Sequence, residues 1–282
     1  MTDYTDYKNL YLLCFAEDTE EDAEFLFKTV LSKAENVCEY KDGKPIAMLF
    51  LMEANLISKD AEYPFFYLYA ACTHPEYRGK GIMGRLLEKA KEVAIEKGKM
   101  GIFLKPANPS LFDFYKKSDF SPFFSVRKIN ASAEAIKDTD DNVKINLTEL
   151  TMAEWHSKRK EFLCGQCDLY ADFSKDLFAA ATDGCRVVMA ENSAAVYELR
   201  DNTLLVKEAV CRKEKEKELI NLLVRVVKET NPKNVEVRFP PSFDLSLPEG
   251  LIGNPTPFSV IWDNGNLPKE DFSFPYHGFA FD

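Results

Sequence analysis

The sequence predicts an α/β (α+β) chain made of two tandem copies of one fold, each a mixed, mostly antiparallel sheet flanked by helices. Three observations carry this. Two helical patterns, three strand patterns, a helix and a strand follow one another in residues 1–130, and the order returns in residues 143–282, a period of about 140 residues. An apolar run at 65–73 leads into a glycine-rich basic turn and then a long amphipathic helix. Residues 131–142, with Ser, Lys, Asp and Thr and few large apolar side chains, read as the linker between the copies.

In chain order, Tyr4, Tyr7, Leu10, Tyr11, Leu13 and Cys14 recur at a helical spacing. The acidic stretch 18–22 then reads as the start of a second helix carrying Phe25, Leu26, Val30 and Leu31. Strands are expected at 36–40 and 44–54 around the hairpin signal Asp42-Gly43. A third strand is expected at 65–73, a helix at 82–97 with Leu86, Leu87, Ala90, Val93 and Ala94 inward, and a strand at 100–104. A helix at 110–117 and a strand at 120–129 close the first copy. The second copy reads as a strand at 144–150, helices at 152–163 and 174–181, strands at 185–191, 194–199 and 203–210, a helix at 213–230 and a strand at 234–239. The proline-rich region 240–257 implies long loops, and the apolar tail 272–281 is too hydrophobic to stay undocked.

The informative stretch is His74-Pro75-Glu76-Tyr77-Arg78-Gly79-Lys80-Gly81-Ile82-Met83-Gly84-Arg85-Leu86-Leu87. Strand, glycine turn and helix start together build an anion site, because the first amides of a helix face outward and the helix dipole favours negative charge. Gly79-x-Gly81-x-x-Gly84 matches a dinucleotide fingerprint. The strand that follows the helix ends in Lys105-Pro106, however, with no acid to hold a ribose hydroxyl. A P-loop needs Ser or Thr after its lysine, and Lys80 is followed by Gly81. A turn that the glycines merely shape is the bland alternative. The second copy has no such loop: residues 211–218 contain no glycine and alternate in charge, as a solvated helix face does.

Arg78, Gly81 and Met83 stand at the spacing Arg-x-x-Gly-x-small, and the stretch resembles the acyl-CoA site of the GNAT acetyltransferase superfamily. Met83 replaces the usual small residue, with Gly84 immediately after. Residues 108–120, Asn108 to Phe120 through Phe114-Tyr115, resemble the family's Asn…Phe-Tyr-x-x-x-x-Phe segment, with Ser118-Asp119 where a Leu-Gly pair is common. The resemblance covers residues 1–130 and implies a tandem GNAT protein with a degenerate second copy. It implies acetyl-CoA as cosubstrate, held by Ala71, Cys72, Thr73, Arg78, Gly79, Lys80, Gly81, Ile82, Met83, Gly84, Asn108 and Tyr115. The 65–73 and 100–104 strands would diverge around the pantetheine arm. Amides near Cys72 and Thr73 would stabilise the carbonyl oxygen, and Tyr115 would act as general acid toward the leaving thiolate.

Each residue has a plainer reading. Tyr115 could pack under the sheet beside Phe112 and Phe114, though it alone of the three has a proton to give. Asn108 could be only a helix cap. Freeing an amine of pKa ~10.4 at pH 7 costs about 4–5 kcal/mol, so a base is useful. Glu53, the C-terminal carboxylate of Asp282 and water remain open for that role, and Glu53 also fits a solvent-facing strand position. His74 reads as a turn residue, while His156 and His277 are isolated. Cys164-Gly165-Gln166-Cys167 is a CxxC without the context of a redox motif or two further zinc ligands, and coincidence is the simpler reading. No set with metal spacing is expected.

The 282 residues carry a net charge of −10, which argues against a nucleic-acid surface and is compatible with a cationic acceptor. Arg78, Lys80, Arg85, Lys89 and Lys91 would then form a local basic cluster against that global charge. Seven scattered cysteines, an acidic N-terminus unlike a signal peptide, and no run long enough to span a bilayer lead to the expectation of a cytoplasmic protein without membrane partners. The reaction expected is N-acetylation of a primary amine of a small molecule or peptide, by direct attack in a ternary complex. A catalytically silent acyl-CoA-binding or protein-interaction module is the alternative, and a homo-oligomer is left open.

Overall fold

Local rules set each element before long-range pairing joins them. In a computed structural model that describes residues 4–139, 145–164, 166–243 and 252–280, helix α1 (Thr5–Cys14) turns Leu10 and Tyr11 inward. Helix α2 (Glu20–Thr29) starts from a capping box: the Thr19 hydroxyl accepts the Asp22 N–H at 3.2 Å, and the Asp22 carboxylate accepts the Thr19 N–H at 2.9 Å. Strands β1 (Glu35–Lys41) and β2 (Lys44–Ser58) meet at Asp42 and Gly43, with φ of 50° and 79°, the positive pair a tight hairpin turn needs.

Strand β3 (Glu62–Thr73) runs antiparallel to β2. Helix α3 (Ile82–Glu96) crosses over the sheet with Leu86, Leu87, Ala90 and Ala94 buried, and β4 (Gly101–Leu104) returns parallel to β3. Helix α4 (Leu111–Lys116) and strand β5 (Ser121–Ser132) follow. Residues 131–139, expected as linker, instead hold the end of β5 and a short helix α5 (Ala133–Lys137), because Ala133 and Ile136 have an apolar core to enter. The remainder of that stretch lies outside the described residues.

The second half contains β6 (Thr148–Leu150), α6 (Met152–Leu163), β7 (Leu169–Phe173), α7 (Lys175–Ala181), β8 (Arg186–Met189), β9 (Ser193–Arg200), β10 (Thr203–Cys211), α8 (Glu216–Thr230), β11 (Asn234–Phe239), β12 (Thr256–Asp263) and β13 (Pro275–Tyr276). The repeat shows in the pairing: β10 runs antiparallel to β9 and parallel to β11 across the α8 crossover, as β3 does with β2 and β4 across α3.

The two halves share strands. The sheet order is β13-β7-β2-β3-β4-β12-β5-β11-β10-β9-β8-β6, with β1 also on β2. Strand β12, from the end of the chain, lies between β4 and β5 of the first half. The long β5 pairs with β12 through 121–126 and with β11 through 127–132. Strand β7 extends the sheet at β2, pairing residues 169–173 with 54–58. Each half therefore depends on a strand contributed by the other. No helix among the described residues is long and apolar enough to cross a membrane.

Candidate functional site

Strands β3 and β4 pair only over Phe65–Tyr67 and Gly101–Phe103. Beyond Tyr67 the β3 register breaks. Phe50 opposes Tyr69 and Met48 opposes Cys72, so β3 holds one residue more than β2 across this interval. The extra residue adopts φ of +52° at Ala70, a left-handed conformation that costs a non-glycine residue about 1–2 kcal/mol. Such a bulge re-aims the backbone next to it. It also changes the facing: Phe65, Tyr67 and Tyr69 pack on the α1–α2 side, and so do Ala70 and Cys72, while Ala71 packs on the α3 side. The outcome is a splayed notch in the sheet, edged by Ala71, Cys72 and Thr73.

The turn after β3 continues from this notch. The His74 ring nitrogen Nδ1 accepts the Glu76 N–H at 3.3 Å, starting a single turn over Pro75–Tyr77. Arg78 is extended; Gly79 and Gly81 then take φ of 75° and 71°, and Gly81 caps α3. Among the described residues, the amides of Gly79, Lys80, Gly81, Ile82, Met83 and Gly84 donate to no acceptor in the chain. The first turn of α3 carries no acidic side chain that would answer them. A row of outward amides at a positive helix end is a cradle for an anion.

The basic side chains are partly committed. Arg78 donates from Nε to the Thr73 carbonyl at 3.0 Å and is otherwise exposed. Lys80 donates to the Glu76 carbonyl at 2.9 Å and lies over the Tyr77 ring, which Lys41 also approaches. Arg85 pairs with Glu39 at 2.7 Å. Lys91 does not join the expected cluster: it is buried against the sheet side of α3, on Glu88 and Asp119.

Tyr115 is 7% exposed, in the same packed group as Ile82, Leu68 and Leu104. Burial pushes its phenol up to about 12, and its hydroxyl has no hydrogen-bond partner among the described residues. Burial therefore keeps this phenol protonated at neutral pH. Asn108 performs the local role: its Oδ1 accepts from the Ser110 N–H at 3.1 Å and from the Ser110 hydroxyl at 2.6 Å.

Glu53 is exposed and ion-paired with Lys99, near the C-terminal end of α3. It pairs across from Phe66, short of the splay, so it is remote from the cradle. The C-terminal carboxylate of Asp282 lies outside the described residues. The tail before it docks between the halves. Tyr276, His277, Phe279 and Ala280 are buried, and His277 sits among the rings of Tyr67, Phe103, Phe124, Phe173 and Phe258, with Ser259 Oγ 2.6 Å from its Nδ1. Cys164 and Cys167 are free thiols, and Gly165 between them lies outside the described residues.

Sequence reasoning missed one contact near the notch. Cys14, at the end of α1, lies 3.6 Å from the Thr73 carbonyl oxygen. Its thiol is lowered to about 7, first by the Cys72 thiol and then by Arg78. The second half keeps the bulge after the parallel pairing, between Val206 and Glu208, but fills the place with charge. Glu208 is fully buried there and accepts from Arg159 Nε and Nη2 at 2.9 Å. Arg159 also donates to the Ala171 carbonyl at 3.1 Å and stacks near Tyr170, Phe178 and Phe279.

A sequence profile described as an acetyltransferase (GNAT) domain matches residues 1–123. No curated protein matches the chain. Among solved structures, a probable N-acyltransferase of unknown function from Enterococcus faecalis V583 superposes with a TM-score of 0.74 at 14% identity, covering 92% of this chain and 70% of that one. A GCN5-related N-acetyltransferase from Kribbella flavida gives 0.68 at 14% identity, covering 92% and 69%. A tandem GNAT protein from the clavulanic acid biosynthesis pathway gives 0.56 at 13% identity, covering 94% and 96%. These likenesses are likenesses of fold; the profile match over residues 1–123 supports acyl transfer as the general reaction class. Residues 1–123 are similar to the GNAT acetyltransferase domain, and the chain as a whole has the fold of a tandem GNAT protein.

Proposed function

We propose that this chain is an acetyl-CoA-dependent N-acetyltransferase that acts on a primary amine of a small molecule or peptide by direct attack in a ternary complex. The observation that carries the reading is the row of unpaired amides from Gly79 to Gly84, reached through two left-handed glycines, at the mouth of a splayed notch. These amides fit a diphosphate, which supplies several acceptor oxygens and negative charge. Arg78 and Lys80 add positive charge at the rim. Backbone groups of Ala71, Cys72 and Thr73 line the arm of the cosubstrate. An amide beside the bulge holds the carbonyl oxygen as it gains charge. Tyr115 gives its proton to the departing sulfur, and Asn108 orients the cosubstrate chain while its Oδ1 holds the Ser110 turn before α4.

Only the first half, residues 1–130 in this division, would hold the cosubstrate. Residues 143–282 would be a degenerate copy, since 211–215 lack glycine and the Arg159–Glu208 pair occupies the equivalent notch. The test is thermal stabilisation by acetyl-CoA followed by thiol release across a panel of amines. At 100 times Kd a ligand stabilises by about 2.7 kcal/mol, readily seen as a shift in melting temperature. Stabilisation with turnover is the expected result. Stabilisation without turnover on any amine would favour the silent binding module, and no stabilisation would overturn both readings.

A further inference from the structure

Two thiols meet at the edge of the notch, and the acyl-transfer reading uses neither side chain. Cys72 is buried on the α1–α2 side of β3, just after the bulge. Cys14, the last residue of α1, packs against the same group and is half-buried. Its thiol donates to the Thr73 carbonyl at 3.6 Å, and Arg78 Nε donates to that same oxygen at 3.0 Å. A thiol and a guanidinium thus converge on the carbonyl of the residue that follows the second thiol. When Cys14 is ionised, its sulfur accepts from the Cys72 thiol and from Arg78.

This arrangement gives the two cysteines different parts. Cys14 is lowered to about 7, first by the Cys72 thiol and then by Arg78, so about half of it is thiolate at neutral pH. Cys72 is raised, first by Cys14 and then by burial, and stays a thiol. A thiol attacks disulfides best when its pKa lies near the ambient pH, and it must also be reachable. Cys14 meets both conditions. Cys38 and Cys211 are pushed up to about 12 by burial, and burial raises Cys167 as well. The position gives modification a consequence. Leu68, Leu104, Ile82 and Tyr115 close the notch on the side of α3 and α4. An acceptor then comes from the other side, where the end of α1 lies against β3.

We propose that Cys14 is a site of reversible modification by small-molecule disulfides, and that Cys72 resolves the adduct into a Cys14–Cys72 bond that closes the acceptor's approach to the notch. The effect on turnover rests on the acyl-transfer reading; the thiol chemistry does not. In the first step the Cys14 thiolate attacks one sulfur of a disulfide RSSR. The Cys14–SR bond forms, the RS–SR bond breaks, and RS⁻ leaves and takes a proton from water. Capping Cys14 removes the largest influence that held the Cys72 proton. Cys72 gives that proton to water and attacks the Cys14 sulfur. The Cys14–Cys72 bond forms, and the second RS⁻ leaves and is protonated in turn. Overall the two cysteine thiols are oxidised and RSSR is reduced to its thiols. The new bond ties the end of α1 to the edge of β3 and fixes it across the approach.

The test treats the reduced full chain with glutathione disulfide, blocks the remaining thiols by alkylation and maps the peptides. Wild-type protein should lose two of its seven thiols and yield a Cys14–Cys72 linked peptide. Cys72→Ser should keep glutathione on Cys14. Cys14→Ser should lose thiols at least about tenfold more slowly. In an acetyl-transfer assay, oxidation should lower wild-type turnover at least about tenfold, since a small misplacement at the notch is costly. Dithiothreitol should restore it, and Cys14→Ser should keep its turnover in the oxidant. A map that leaves Cys14 unmodified, or that links Cys72 to Cys38, would overturn the assignment without any variant having to fold. A Cys14–Cys72 bond that leaves turnover unchanged would overturn the closure. Reduced protein that transfers acetyl to no acceptor would instead remove the acyl-transfer reading, while the peptide map still decides the thiol pair.

Discussion

Replacing Gly81 by alanine isolates the backbone's part in cosubstrate binding. Gly81 adopts φ of +71°, and a Cβ built there meets only the Arg85 guanidinium, at 3.8 Å, an ordinary contact. The substitution therefore blocks nothing; its whole effect is the cost of the left-handed conformation, about 1–2 kcal/mol for a residue with a side chain. The turn is exposed and no packed side chain holds it there, so the variant relaxes toward negative φ and swings the amides of residues 81–84 out of register. If only the left-handed form binds, the acetyl-CoA Kd rises by about 5- to 30-fold, since each 1.4 kcal/mol is tenfold. Gly184→Ala is the control, because Gly184 has φ of +72° and open space around it but lies in the second half. It carries the same strain and should leave the Kd unchanged. Calorimetric titration of both variants gives the answer. An unchanged Kd for Gly81→Ala, or equal losses in both, would refute the assignment of the cradle.

Other outcomes follow from the same geometry. Arg78→Glu with Lys80→Glu should weaken acetyl-CoA binding by at least about tenfold, by loss of charge-assisted contacts, whereas Lys213→Glu with Lys217→Glu should not. Equal effects would contradict a single site. Tyr115→Phe should lower kcat by about 100-fold or more without changing the acetyl-CoA Kd. Its phenol titrates near 10.0 when unfolded and about 12 when folded, so the stability it contributes is complete below pH 10 and is lost as pH rises from 10 toward 12. That is about 3 kcal/mol, which denaturant melts of the wild type and the Phe variant would resolve. Glu208→Gln leaves buried Arg159 with only the longer 3.4 Å pairing to Asp172 and should cost about 3 kcal/mol in global stability, with acetyl-CoA affinity of the folded protein unchanged.

Most elements were legible because their signals are local. The 3.6-residue spacing of α3, the Asp42-Gly43 turn and the acidic start of α2 each declare an element within a few residues. The turn at 78–84 was legible for the same reason, since glycine advertises positive φ. The bulge was not, because alanine at position 70 gives no such sign; only the register against β2 exposes it. Strand β12 was missed because its place between β4 and β5 is decided by partners more than a hundred residues earlier. One error of direction had a local signal, and the solvent-facing reading of Glu53 had one too. Lys91 follows Leu87 by four residues and so lies on the buried stripe of α3. Glu53 shares its strand face with Leu49 and Leu51, which pack toward α3 rather than toward α1 and α2.

The most direct measurement is amide hydrogen exchange in the presence and absence of acetyl-CoA. Without ligand, the amides of residues 79–84 have no acceptor among the described residues and should exchange rapidly. With acetyl-CoA they should become protected, while residues 211–215 should not change. Saturating acetyl-CoA that leaves 79–84 as fast as before, or that slows 211–215 instead, would contradict the account.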